Sequence, residues 1–200
     1  LEIAHSDTKP ENILLSASAG RYFEQGHGYS RTRLQKIIQP NLAQLADFSL
    51  ARKGGVSEVH TSGIRCFSLL GTSIYIAPEI IKLKGGHPTS DVYSLGIAAY
   101  VMLQPKESEF LEIGQEELLR LMRNGGIPKL KDGVRKSLKG FDEVVHAMVL
   151  ADPKKRPTAY EVYNQARDWL YRQGIDLDSA LPDGKAQRMP LKARISYGIQ

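Results

Sequence analysis

The sequence predicts a mainly α-helical fold with a small β-hairpin region. Three observations carry that expectation. Residues 89–103 are apolar on every side, three further stretches repeat apolar residues at helical spacing, and two short apolar runs lie among the first eighty residues.

In chain order, Ile13–Leu15 and Leu42–Ala46 are strand-like runs flanked by polar, Gly-containing connections. Between them, residues 16–40 contain Gly20, Gly26, Gly28 and Pro40 and resemble an insertion more than an element. The segment 89–103 opens with Thr89, Ser90 and Asp91 as candidate N-caps and stops before Pro105. Its Val92, Tyr93, Leu95, Ile97, Ala98, Tyr100, Val101 and Leu103 leave no polar face, the pattern of a central, buried helix. A second helix is expected over 109–124, with Leu111, Leu118, Leu119, Leu121 and Met122 apolar and Gly125–Gly126 as its stop. A third runs from Phe141 to about Leu150, where Phe141, Val144, Val145, Met148 and Val149 follow the i, i+3, i+4, i+7, i+8 pattern. The fourth follows Pro157: Thr158 and Glu161 form a capping box, Val162, Tyr163, Ala166, Trp169 and Leu170 make the stripe, and Gly174 ends it. No internal repeat is visible.

With 200 residues, 42% hydrophobic and 24% charged, the chain suits one ordinary soluble domain or a small pair of subdomains. The longest nearly apolar run, Val92 to Leu103, is shorter than the roughly 20 residues of a membrane-spanning helix, so no membrane role is expected. One cysteine, Cys66, offers neither an internal disulfide nor a ligand cluster, and reads as a loop thiol in a reducing compartment. The start, residues 1–10, has neither the basic region nor the long apolar region of a secretory signal, and an intracellular, cytoplasmic or nuclear location is expected. It also lacks Met, which reads as a fragment or a processed product. The net charge of +5 is concentrated in two segments. Residues 16–40 set Arg21, Arg31, Arg33 and Lys36 against Glu24, and residues 183–200 set Lys185, Arg188, Lys192 and Arg194 against Asp183. The rest of the chain is near neutral, which makes nucleic acid an unlikely partner on charge alone.

The chemistry-bearing residues cluster early. His5-Ser6-Asp7-Thr8-Lys9-Pro10-Glu11-Asn12 puts two carboxylates, a lysine and an amide on one short loop, followed by a strand-like Ile-Leu-Leu. This segment resembles the protein-kinase catalytic loop, in which His-Arg-Asp is followed by four residues and Asn, and Lys-Pro-Glu-Asn is its Ser/Thr-kinase form. Further likenesses come in the family's order. Asp47-Phe48-Ser49 stands where the family has Asp-Phe-Gly, and residues 71–79 resemble the segment ending in Ala77-Pro78-Glu79. Ser90-Asp91-Val92-Tyr93-Ser94-Leu95-Gly96 resembles the start of its buried central helix, and Asp152 to Thr158, with Arg156, the turn before its last helix. Taken singly, Asp7, Lys9 and Asn12 are ordinary loop residues; at this spacing and in this order they are a motif.

The resemblance implies a kinase-like C-terminal lobe over residues 1–173, with 16–40 as a hairpin insertion and 47–79 as the activation segment, followed by an extension over 174–200. It implies ATP and Mg²⁺ as cofactors and a protein substrate or docking partner. By the same resemblance Asp7 orients or deprotonates the substrate hydroxyl, Lys9 steadies the phosphoryl, Asn12 and Asp47 hold Mg²⁺ through oxygen, and Thr72 sits near Asp7 and Lys9. His5, Glu79 with Arg156, and Asp91, bonded to the loop backbone, are implied as structural supports. At a helix start Asp91 also reads as a plain N-cap, and both roles can hold at once. Thr61 and Ser62 are candidate phosphosites.

Departures from the family pattern keep other functions open. Ser6 replaces the arginine that reads an activation-loop phosphate in many kinases, Ser49 replaces a glycine free to reach φ > 0, and Thr8 replaces a usual Leu, which should matter less. No Gly-x-Gly-x-x-Gly occurs in the chain, so the first lobe is expected from the same gene or another chain, and the isolated chain is expected to bind ATP poorly. A pseudokinase or scaffold lobe, docking a partner through residues 109–130, is the second reading. The 34 residues between Asn12 and Asp47 are long for the family and read as a solvated loop in preference to a docking or nucleic-acid-binding element. The tail, with Leu177, Leu181, Leu191 and Ile195, either packs on the body or binds an acidic partner.

Overall fold

A computed structural model describes residues 3–15, 43–53, 73–81, 87–103, 117, 120–121, 127, 129–130 and 132–176. The sequence readings for Thr61, Ser62, Cys66, Thr72, the 16–40 insertion, the tail beyond 176 and most of the 109–124 helix lie outside the described residues. The chain divides into two compact units, Glu2–Asn12 with Asp47–Val162, and Leu1 with Ile13–Ala46 and Tyr163–Gln200.

The described residues are mostly helical, with two small antiparallel strand pairs. In the larger unit, β1 (Ile3–Ala4) pairs with β4 (Arg52–Lys53), setting Ile3 opposite Lys53 and Ala4 opposite Arg52. In the other unit, β2 (Ile13–Leu15) pairs with β3 (Ala43–Leu45), with Ile13 opposite Leu45 and Leu15 opposite Ala43. Among the described residues the helices with both ends defined are α1 (Pro78–Ile81), α2 (Ser90–Met102), α3 (Asp132–Leu138), α4 (Phe141–Met148) and α5 (Ala159–Arg172). None of them is long and apolar enough to cross a membrane.

The core of the larger unit forms around α2, as its apolar sequence requires. Tyr93, Ile97 and Tyr100 are fully buried against Val145 and Val149 from α4 and its end, Leu138 of α3, Leu130 and Ala77. Burial of each such side chain is worth about 1.5–3 kcal/mol. The helix is not buried on every side, however: Leu95 is 38% and Met102 65% exposed. Polar residues mark the contact edge instead, because Ser94 spends its hydroxyl on the Tyr75 carbonyl at 2.7 Å.

At Gly96, α2 packs directly on the end of α4. A Cβ there would lie 2.7 Å from the Met148 Cβ and 2.8 Å from the Val149 Cγ1. Both atoms are anchored close to backbone, so the helices themselves must move. Gly96→Ala should therefore destabilise the larger unit by about 1–3 kcal/mol, despite the better helix propensity of alanine. Urea unfolding midpoints of the two proteins measure the difference.

The helix ends follow their residues. At the start of α5 the Thr158 N–H and hydroxyl both donate to Glu161 Oε2, at 2.7 and 2.9 Å, and the Glu161 N–H returns to Thr158 Oγ1 at 3.2 Å. At its end Gly174, with φ 79°, lets the Gly174 N–H reach the Tyr171 carbonyl and the Ile175 N–H reach the Leu170 carbonyl, at 2.8 and 2.9 Å. That is a Schellman closure, and Ile175 is buried beside it. Tyr163, expected in the buried stripe, is instead 42% exposed.

Candidate functional site

The site is built on the loop between β1 and β2, all of it within the larger unit. Residues Pro10–Asn12 turn back as a 3₁₀ segment, closed by the Asn12 N–H on the Lys9 carbonyl at 3.0 Å. That turn brings three side chains onto one carboxylate. Asp7 Oδ2 accepts from Lys9 Nζ at 2.8 Å and from Asn12 Nδ2 at 3.0 Å, while Asn12 Nδ2 also donates to the Asp7 carbonyl at 2.8 Å. Asn12 is buried, and the Asp7 side chain is only 12% exposed. Two donors are thus spent on one oxygen of Asp7.

Asp91, in the first turn of α2, holds the loop from below in the chain order. Its Oδ2 accepts from the His5 N–H at 2.7 Å, and its Oδ1 accepts from the Ser6 N–H at 2.8 Å. Ser6 has φ 68°, a left-handed conformation that costs a non-glycine residue about 1–3 kcal/mol. Two hydrogen bonds to a charged carboxylate offset a cost of that size. Asp91 is therefore not the N-cap of α2. That position is Thr89, which makes no side-chain cap bond because its hydroxyl donates to the Pro153 carbonyl at 2.7 Å. Thr8, which the sequence suggests should matter little, is buried and aims its hydroxyl at Asp91 Oδ1 at 3.5 Å, a long contact.

Asp47 begins the turn Phe48–Leu50 in a left-handed conformation, φ 59° and ψ 75°, that aspartate tolerates. Its Oδ1 accepts from the Ser49 N–H at 3.2 Å. Hydrogen bonds from the Ser49 side chain and backbone, with positive charge at Lys9 and His5 acting the same way, hold the exposed Asp47 carboxyl below its ordinary 3.8. The next residue, Phe48, meets the buried His5 ring edge-on with centroids 4.7 Å apart, which ties this turn to the Asp7 loop.

Glu79 and Arg156 form a second, buried cluster. Arg156 binds Glu79 through both terminal nitrogens, each at 2.7 Å, and its side chain is fully buried. Its other donors reach the carbonyls of Leu150, Thr89 and Ala151 at 2.6, 3.2 and 3.3 Å. All five guanidinium N–H groups thus have acceptors. Ser90 Oγ adds a bond to Glu79 Oε1 at 2.6 Å, and the guanidinium lies 4.7 Å above the Tyr93 ring. Burial raises the Tyr93 hydroxyl far above its ordinary range. Sequence reasoning pairs Glu79 with Arg156 but misses Ser90 and Tyr93. Their spacing of three places both on the same face of α2, a signal hidden because that helix is apolar almost everywhere.

Of the residues singled out from sequence, the structure therefore brings Asp7, Lys9 and Asn12 together, with His5 and Asp91 beneath them and Asp47 in the turn that contacts His5. Glu79 and Arg156 form their own cluster. Thr72, Thr61 and Ser62 lie outside the described residues.

The family model described as "Protein kinase domain" matches residues 1–169. Among similar curated proteins, "Calcium-dependent protein kinase 2" of Arabidopsis thaliana is 25% identical over 94% of this chain and 25% of its own length. "Serine/threonine-protein kinase 33" of Bos taurus is 28% identical over 94% of this chain and 34% of its own length. "Serine/threonine-protein kinase DCLK3" of Homo sapiens is 30% identical over 86% of this chain and 22% of its own length. The chain thus spans between a fifth and about a third of the length of these relatives.

Proposed function

The chain belongs to the protein kinase family, and from that premise we propose that it carries the catalytic loop of a Ser/Thr protein kinase, transferring the γ-phosphoryl of ATP to hydroxyls of protein substrates. The observation that carries this reading is the convergence of Lys9 and Asn12 on a single oxygen of Asp7. It leaves Asp7 Oδ1 to face a substrate hydroxyl and take its proton.

The donor set fits Mg·ATP. Asn12 uses its Nδ2 in both hydrogen bonds to Asp7, which frees its amide oxygen, and Asp47 offers an exposed, ionised carboxylate. Both are hard oxygen donors, and Mg²⁺ ordinarily takes only one or two protein ligands beside phosphate and water. Bound Mg·ATP supplies the phosphoryl group and the charge that neutralises it. Asp47 and Asn12 would hold the metal, Lys9 would hold phosphate oxygens, and Asp91 keeps the loop backbone in place for Asp7.

A second reading, a pseudokinase or scaffold lobe that docks a partner without transfer, is favoured by Ser49, whose N–H engages one oxygen, Oδ1, of the Asp47 carboxylate that a metal would use. One experiment separates the two. The full-length protein, incubated with Mg·ATP labelled at the γ-position and an array of Ser/Thr peptides, is expected to label peptides, and Asp47→Ala is expected to abolish labelling. Labelling that survives Asp47→Ala unchanged would refute the metal-holding role, and nucleotide binding without any labelling would favour the scaffold.

A further inference from the structure

His146 lies on α4 where that helix meets α2. Its ring stands edge-on to the buried Tyr100 ring, with centroids 6.1 Å apart, and its Nε2 is buried without a hydrogen-bond partner among the described residues. The Tyr93 hydroxyl is the other such atom among the described residues, and burial moves its titration far above neutral pH. Histidine is the side chain that gains charge close to neutrality, so its orphaned nitrogen makes a pH-dependent cost.

In a neutral imidazole one nitrogen carries the proton and the other is an acceptor. A buried lone pair without a donor is better tolerated than a buried N–H without an acceptor, which keeps the proton on Nδ1 and leaves Nε2 bare. Acid must then add the second proton at Nε2, where it creates a charged donor with nothing to receive it.

The surrounding charges do not compensate. Asp142, four residues earlier on α4, is the favourable one, but its Oδ2 is held by Arg135 Nε of α3 at 3.1 Å. Arg135 and Lys129, the latter from the segment before α3, line the same cleft as His146 and oppose a further positive charge. Glu143 lines that cleft too, but it is exposed and water screens it. Burial of the ring, offset only in part by Asp142 and reinforced by Arg135 and Lys129, holds the imidazole below its ordinary 6.5.

We propose that His146 is a pH-sensitive latch: proton uptake at Nε2 loosens α4 from α2 and α3 as the medium turns mildly acidic, in the unit that also carries the Asp7 loop. The folded state binds fewer protons at this site than the unfolded one. The latch therefore contributes its full stability above 6.5 and loses it as pH falls from there towards the lower folded value.

Hydrogen exchange of the α4 amides tests this, read by mass spectrometry in the full-length protein and in His146→Phe, which keeps an aromatic ring against Tyr100 but takes up no proton. Comparing the two at the same pH cancels the intrinsic pH dependence of exchange. Protection in the parent relative to the variant is expected to fall severalfold between about pH 7 and 5.5, by no more than about tenfold per pH unit, the limit for one proton. The His146 ring of the parent provides an independent check, because its NMR titration is expected to have a midpoint below 6.5. That titration decides the matter if His146→Phe fails to fold. A protection ratio that does not change with pH, or a midpoint at or above 6.5, would overturn the proposal. Neither result bears on the phosphoryl-transfer reading, which rests on Asp7, Lys9 and Asn12.

Discussion

Asp7→Asn is expected to lower kcat for phosphoryl transfer by about 10²–10⁴-fold while KM for Mg·ATP changes little. The substitution keeps the shape of the side chain. An amide oxygen placed where Oδ2 stands still accepts from Lys9 and Asn12, which now approach it at 2.8 and 3.0 Å. The amide nitrogen then occupies the place of Oδ1, where it can donate a proton but cannot take one. Loss confined to kcat marks a group that acts in the transition state, whereas a parallel rise in KM would mean that the loop had moved. The loop's anchors do not depend on the Asp7 charge, because Asp91 holds the His5 and Ser6 N–H groups directly. Steady-state kinetics together with a thermal unfolding midpoint make the check. Turnover within a few-fold of the parent would remove Asp7 from the role assigned to it.

Much of this arrangement is legible in the sequence, and the exceptions have physical reasons. The loop from His5 to Asn12 is legible because its functional groups are local: a 3₁₀ turn needs only a few consecutive residues to bring Lys9 and Asn12 onto Asp7. The α5 boundaries are legible for the same reason, since the capping box and Gly174 act on their own helix. Helix α3 is not, because its seven residues show only Val134 and Leu138 as an apolar pair. The pairing of β1 with β4 escapes as well: two-residue strands carry no periodicity, and their partners lie far apart in the chain. Thr89 and Asp91 illustrate a subtler limit. Both have the chemistry of an N-cap, yet each satisfies a backbone group in a distant segment, Pro153 for Thr89 and the His5–Ser6 peptide groups for Asp91. Local propensity ranks such residues as caps, and only the tertiary structure shows which orphan groups they serve.

Arg156→Ala is expected to destabilise the larger unit by about 3–5 kcal/mol, a large fraction of the roughly 5–15 kcal/mol that keeps an ordinary protein folded. The variant leaves Glu79 buried and charged, and it also strands the carbonyls of Leu150, Thr89 and Ala151 that the guanidinium now satisfies. Arg156→Lys should recover little of the loss, since one ammonium cannot reach both carboxylate oxygens and three carbonyls. A different replacement distinguishes charge from structure. With Glu79→Gln and Arg156→Met together, no uncompensated charge remains, and the double variant should be more stable than Arg156→Ala. The same pair sets an acid limit on stability. Burial alone would raise the Glu79 carboxyl, but the bonds from Arg156 and Ser90 outweigh it and hold the folded value below the ordinary 4.5. The folded state therefore binds fewer protons than the unfolded one as pH falls through this range. The contribution is complete above about 4.5 and is lost as pH drops towards the lower folded value. Urea unfolding at a series of pH values should show the parent losing stability below pH 4.5 by more than Glu79→Gln does. Equal slopes in the two proteins would mean that the Glu79 charge does not govern the acid limb.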